Sequence, residues 1–176
     1  MNKLIKLLSI VIAGFILTAN SFAADVTMRI SIQLPMKSHL GQNLLLFKND
    51  VEAKSKGEIE VQIYDSAQLY KDKEVPAAVG SGSIEAGVAS LTRYVGDIPA
   101  VDIFYQPFLL NSEAKVRKAV AKGSAIRGPI DKAIEGTGST VLWWQAYGSA
   151  VMLSKGQGIK NPSDMKGKKV RVFGKT

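Results

Sequence analysis

Two runs of strict alternation enclosing one helical stripe constrain this chain more than any other feature. From Val26 to Gln33, apolar Val26, Met28, Ile30 and Ile32 alternate with Thr27, Arg29, Ser31 and Gln33. Period two sends one set to a buried face and the other toward solvent, as in a half-buried strand. Leu40, Leu44, Phe47 and Val51 then recur at three- and four-residue steps and lay one apolar stripe along a helix. Lys56-Gly57 closes that helix, with glycine where a left-handed cap is easiest. A second alternation follows, Ile59, Val61 and Ile63 against Glu58, Glu60 and Gln62. Strand, helix and strand in direct succession predict an α/β chain with a parallel or mixed sheet and right-handed crossovers.

Further along, Lys73 to Val79 is expected as a short helix ended by Gly80-Ser81-Gly82, and Ile84 to Leu91 as a buried strand rich in small residues. Residues 92–111 carry Pro99, Pro107 and a dense apolar group, which predicts an irregular connection. Helices are expected over Ser112–Lys122 and over Ala125–Ile134, the second capped by Ser124. Strands are expected at Ser139–Trp144, Val151–Ser154 and Lys169–Phe173, with a turn or helix start at Asn161-Pro162-Ser163-Asp164. The last of these strands is internal in type yet has nothing after it to cover it. The expected division is therefore a first α/β lobe over residues 24–145 and a second, truncated one begun over 146–176.

Residues 1–23 read as a secretory signal peptide. Lys3 and Lys6 form a positive start, Leu7 to Leu17 is an apolar stretch broken only by Ser9 and Gly14, and Ser21-Phe22-Ala23 offers a cleavage site. Eleven residues rise only about 16 Å as a helix, short of the ~30 Å hydrocarbon core of a bilayer. Export would take the chain away from the cytoplasmic ATP pool and disfavours nucleotide-driven chemistry. Gly174-Lys175-Thr176 is no P-loop, because Lys169 stands where its first glycine would be. Cysteine is absent and His39 is the sole histidine, which excludes disulfide frameworks, thiol nucleophiles and any site needing two histidines. The formal charge is +8, but the cations do not interleave with aromatics, and Lys166, Lys168, Lys169, Arg171 and Lys175 read as a solvated basic face rather than a nucleic-acid surface. No cofactor or metal is expected.

The run Ile159-Lys160-Asn161-Pro162-Ser163-Asp164-Met165-Lys166-Gly167-Lys168-Lys169-Val170-Arg171-Val172 resembles a signature of the solute-binding proteins of TRAP (tripartite ATP-independent periplasmic) transporters, C4-dicarboxylate-binding type. Pro35-x-x-x-His39, Gln68-Leu69, Asp72-Lys73-Glu74-Val75, Gly82-Ser83-Ile84-Glu85-Ala86-Gly87-Val88 and Pro107-Phe108-Leu109 support it in order along the chain. The resemblance implies a two-lobed periplasmic binding-protein fold (type II) with the first lobe largely present. It also implies an organic-acid ligand held between the lobes, and membrane permease subunits of a TRAP transporter as partner. Arg171 matches the family's carboxylate-binding arginine. Family members often carry a second arginine just after a Trp-x-x-Gly segment. Here Trp144-Gln145-Ala146-Tyr147-Gly148 leads to Ser149 and Ala150, and Ala150 takes that place.

Each candidate has a plain structural alternative. Arg171 offers two parallel N–H donors to a carboxylate, against a surface role in a basic turn. Arg93 follows a strand, where clefts of α/β sheets lie, and is a candidate to complete the site, against a surface salt bridge. Glu74 opens a helix, so its charge suits the dipole, or a ligand hydroxyl. His39 is a binding candidate or a hydrogen-bonding group at a helix start. Tyr147 offers a wall with a hydroxyl donor, ahead of Trp143 and Trp144, and Gln145 offers an amide. Two other functions are open on sequence alone. One is a binding protein for an ABC transporter; the other is an exported hydrolase pairing Glu58 or Asp72 with Glu74, although no Gly-x-Ser-x-Gly elbow occurs.

Overall fold

A computed structural model describes residues 24–149, 151–156 and 158–171. Residues 1–23, expected as a signal peptide, and Ala150, Val172 and Phe173 lie outside these residues. Strand β1 (Val26–Ile32) leads through helix α1 (His39–Lys54) to β2 (Ile59–Tyr64). A short helix α2 (Val75–Gly80) precedes β3 (Ala86–Val88). Two 3-10 segments, Leu91–Arg93 and Pro99–Tyr105, lead to α3 (Glu113–Val120) and α4 (Arg127–Glu135), and a third 3-10 segment spans Pro162–Met165. The sheet is three-stranded, parallel throughout, in the order β2-β1-β3. Val26 stands opposite Ile59, and Ile30 stands between Ile63 and Ala86.

The expected α/β character and the first strand–helix–strand unit are thus observed. Ser38 caps α1 by accepting from the Gly41 N–H at 3.1 Å. At the other end Lys56 and Gly57 both take positive φ, and the Gly57 N–H returns to the Glu52 carbonyl at 3.0 Å. Glu52 also ties the helix to the sheet. Its carboxylate accepts from the Val61 N–H and from Lys48 Nζ, which also donates to the Val61 carbonyl. These bonds, that from Lys48 foremost, hold the Glu52 carboxyl below its usual range. Ile30, Ile32, Leu40, Leu44 and Val61 form the core beneath α1.

The half-buried reading of β1 needs one correction. Its last three residues are all buried, Ser31 included. At Ser31 the face expected to be wet is covered, and the Ser31 hydroxyl donates to the Tyr70 carbonyl while accepting its N–H, both at 3.2 Å. A parallel sheet buries both faces, so alternation reports only one of them. Close approach of α2 on this side depends on Gly87. A Cβ there would lie 2.3 Å from Val75 Cγ1, and Val75 is itself buried. Gly87→Ala is expected to destabilise the fold by about 1–3 kcal/mol, measured as a lower urea midpoint.

Beyond β1 and β2, extended composition does not always yield a ladder. The strand expected over Ile84–Leu91 is confined to Ala86–Val88, because the Ile84 N–H bonds to the end of α2 and Ser90 enters a 3-10 turn. Ser139–Trp144 and Val151–Ser154 form no strand, and neither do Lys169–Arg171. A strand persists only where a neighbour accepts and donates along its length, and among the described residues these segments join no sheet ladder. Side chains hold the first of them instead. Val141 and Trp144 join a second apolar cluster built on Val95, Ile98, Val101, Ile130 and Ile134. The two expected helices are present but shorter. Ser124 performs its predicted capping role by accepting from the Arg127 N–H at 3.0 Å.

One surface ion pair gives the fold a pH signature. Arg29 donates to both Glu85 carboxylate oxygens at 2.7–2.9 Å, and chiefly this holds the Glu85 carboxyl at about 2 instead of 4.5. A carboxyl depressed in the folded state stabilises it above the unfolded value and loses that contribution as pH falls toward the folded one. Glu85→Gln should therefore flatten the decline in urea midpoint between about pH 4.5 and 2, and leave the profile above pH 5 unchanged in slope. Both side chains are more than a third exposed, so added salt should shrink the effect.

Candidate functional site

The carboxyl ends of parallel strands are where open α/β sheets place ligands, since the loops that leave them diverge into a crevice. A shallow cleft of about 300 Å³ lies there, lined by Gln33, Ala67, Lys71, Asp72, Lys73 and Arg93. Gln33 directly follows β1, residues 67–73 connect β2 to α2, and Arg93 ends the 3-10 turn after β3. All three strands thus deliver residues to one place. The volume is at the lower end of the range for small-molecule sites, about 300–1,000 Å³.

Charge decides what such a cleft accepts. Asp72 is buried, and one of its oxygens accepts from Arg93 Nε. Its other oxygen accepts from the Ser90 N–H at 3.0 Å. Arg93 therefore makes the salt bridge that the sequence left open, and it also lines the cleft. Its neighbour Tyr94 points the other way, packed against the second apolar cluster, where burial pushes its phenol pKa up. Lys71 and Lys73 add two further cations to the rim.

The remaining candidates lie elsewhere. Glu74 is exposed and accepts from the Lys71 N–H at 3.1 Å, so it closes the turn that carries Lys71 and Asp72 instead of lining the cleft. It does not cap α2 with its side chain. His39 opens α1, and its Nε2 lies 3.2 Å from the Ala146 carbonyl oxygen, which joins the start of the helix to the later segment. Gln145 and Tyr147 are exposed on that segment, Tyr147 by 57%. Trp143 lies on Phe47 with ring centroids 5.0 Å apart. Trp144 packs on Phe104 at 5.2 Å and donates to Asp131 at 2.7 Å.

Arg171 is exposed and is not among the cleft-lining residues. The motif before it is built for a turn. Asp164 accepts from the N–H groups of Lys160 and Asn161, both at 2.9 Å, which holds its carboxyl below the usual range. Gln33, Lys71 and Lys73 were not singled out in the sequence. Their signal is topological, because each sits just beyond a strand end or just ahead of α2.

The profile of the bacterial extracellular solute-binding protein family 7 (DctP) matches residues 30–175. The chain belongs to that family. A solute-binding protein of Verminephrobacter eiseniae is 31% identical over 86% of this chain and 44% of its own length. The C4-dicarboxylate-binding periplasmic protein DctP of Rhodobacter capsulatus is 26% identical over 89% of this chain and 46% of its own. The chain thus spans about half the length of the relatives it matches. A TRAP periplasmic solute-binding protein from Sulfurospirillum deleyianum, solved with bound succinate, superposes with a TM-score of 0.60 at 20% identity, over 66% of this chain and 37% of that one. DctP7 of Bordetella pertussis, an extracytoplasmic solute receptor binding pyroglutamic acid, gives 0.59 at 23% identity, over 64% and 36%. The α/β fold is accordingly that of family 7 periplasmic solute-binding proteins, and the described residues supply part of it. No helix among the described residues is long and apolar enough to cross a membrane.

Proposed function

We propose that this family 7 chain takes up a small organic acid in the periplasm and delivers it to the membrane permease subunits of a TRAP-type secondary transporter. The observation that carries the reading is the cationic cleft at the carboxyl ends of β1, β2 and β3, with Arg93 fixed at its edge. Succinate and pyroglutamic acid in the two superposed proteins support the ligand class. Residues 1–23 act as the export signal, 24–145 as the first lobe and 146–176 as the start of the second.

On this reading Arg171 grips one carboxylate of the acid from the second-lobe side. The free protein samples open and closed arrangements, and ligand favours closure only through contacts it makes better in the closed one. A carboxylate bridging Arg171 to first-lobe groups is such a contact, because a guanidinium fork and a carboxylate match in geometry as well as charge. Gln145 and Tyr147 lie where the chain passes from one lobe to the other, His39 reaches that segment at the Ala146 carbonyl, and all three contribute polar atoms there. Glu74 acts by shaping the turn under Lys71.

The protein binds without turnover. Both Asp72 oxygens are engaged with Ser90 and Arg93, which supports a structural use of that carboxylate. Calorimetric titration of the full chain with succinate tests the reading. A saturable exotherm or endotherm with succinate recovered intact is expected; absence of binding by succinate and other small carboxylates would overturn it.

A further inference from the structure

We infer that Asp65 is a positioning residue for ligand binding. It clips the loop after β1 to the turn after β2, and so holds Gln33 and Ala67, two residues of the cleft wall, in place before any ligand arrives. This rests on the carboxylate-binding reading above and deepens it. Asp65 directly follows β2 and is half-buried. Its Oδ2 accepts from the Met36 N–H at 3.0 Å and from the Ser66 hydroxyl at 3.1 Å. Its Oδ1 accepts from Gln68 Nε2 at 3.1 Å. One carboxylate therefore grips both sides of the junction.

The bonds across that junction fall into a register. The Ala67 N–H donates to the Ile32 carbonyl at 3.0 Å, and the Ser66 N–H to the Leu34 carbonyl at 3.1 Å. With the Met36 N–H on Asp65, every second residue from Ile32 to Met36 is tied to the turn after β2. Gln33 sits between two of these ties. The turn itself takes a costly shape. Ser66 has φ 53° and Ala67 φ 59°, in the left-handed region that side chains other than asparagine and aspartate seldom enter. Such residues persist only where the surroundings over-determine them. The Asp65 carboxylate supplies that hold from the preceding position, and the Ile32 and Leu34 carbonyls supply it from across the junction.

The fold does not lean on Asp65 in the same way. It belongs to neither apolar cluster, and the pairing of β1 with β2 ends at Tyr64, one residue before it. What the carboxylate adds is fixity at the cleft end of those strands, where Gln33 and Ala67 line the wall. A wall already held in its binding shape spares the ligand the cost of ordering it.

Calorimetric titration of the full chain with succinate reads this hold as affinity, with far-UV circular dichroism showing that each variant is folded. Asp65→Ala is expected to weaken succinate by about tenfold. A side chain that only stabilised the fold would lower the urea midpoint and leave the affinity of the folded chain unchanged. Asp65→Asn keeps an acceptor for the Met36 N–H, and Gln68 can turn its own amide oxygen toward the new NH2 group. Its affinity should therefore stay within about threefold of native. Ser66→Gly lies at an exposed position outside the cleft lining and takes the left-handed conformation without steric cost. Alone it should leave affinity within about twofold of native; added to Asp65→Ala it should restore at least about threefold. Native affinity in Asp65→Ala, loss of its fold, a loss of affinity shared in full by Asp65→Asn, or one that Ser66→Gly leaves untouched would each overturn the inference and leave the carboxylate-binding reading standing. Failure of the folded native chain to bind succinate or other small carboxylates would overturn both.

Discussion

Arg171→Ala should cost the chain about 2–5 kcal/mol in affinity for succinate, a loss of roughly thirtyfold to several thousandfold, while its thermal unfolding stays where it was. The two halves of this expectation come from different facts. Arg171 is exposed and belongs to neither apolar cluster, so its removal leaves the core untouched. In the closed, ligand-bound form the same guanidinium would lose its water to a carboxylate. Deleting one partner of a desolvated charge pair leaves the other unanswered, and this is what makes the penalty large. Arg171→Lys separates charge from shape. It keeps the positive group but loses the parallel donors, and should recover only part of the affinity. Calorimetry on the native and two variant chains gives the ordering. Native affinity in Arg171→Ala would remove this residue from the site.

Ile32→Ala should destabilise the fold by about 2–5 kcal/mol, a large share of the 5–15 kcal/mol that holds a typical domain. Ile32 is fully buried at the end of the central strand, paired with Val88 and packed in the cluster beneath α1. Truncation opens a cavity between elements that are held on both sides by the sheet, so the site has little room to collapse. Val26, on the same strand but 52% exposed, is the matched control. Val26→Ala should stay within about 0.5 kcal/mol. Urea denaturation of the two variants distinguishes these outcomes, and similar midpoints would contradict the assignment of Ile32 to the core.

The contrast between these positions shows what was legible in the sequence. β1, α1 and β2 announce themselves through periodicities confined to a short window, and α1 also through Ser38 and Gly57. Ser31 does not, since its burial comes from Tyr70 and the residues after it, which no local pattern brings to mind. The same limit applies to the cleft. Asp72 and Arg93 are 21 residues apart and meet because two loops leave the same end of the sheet. Nothing in the sequence around Asp72 points to Arg93 as its partner. The turn at Asn161–Asp164 was readable because a proline and an aspartate at that spacing carry their own geometry. Composition was least informative over Ser139–Ser154. Branched and aromatic residues there satisfy the requirements of a strand, but hydrogen-bonding partners alongside are supplied by the fold, not by the segment itself.

The adjacent indoles have a thermodynamic consequence. Successive side chains on an extended backbone face opposite ways, and here one indole leans on Phe47 while the next is seated against Phe104 and Asp131. Those two seats belong to different apolar clusters. A single peptide unit therefore links the two clusters, so that loosening either one is expected to strain the other and to couple their melting.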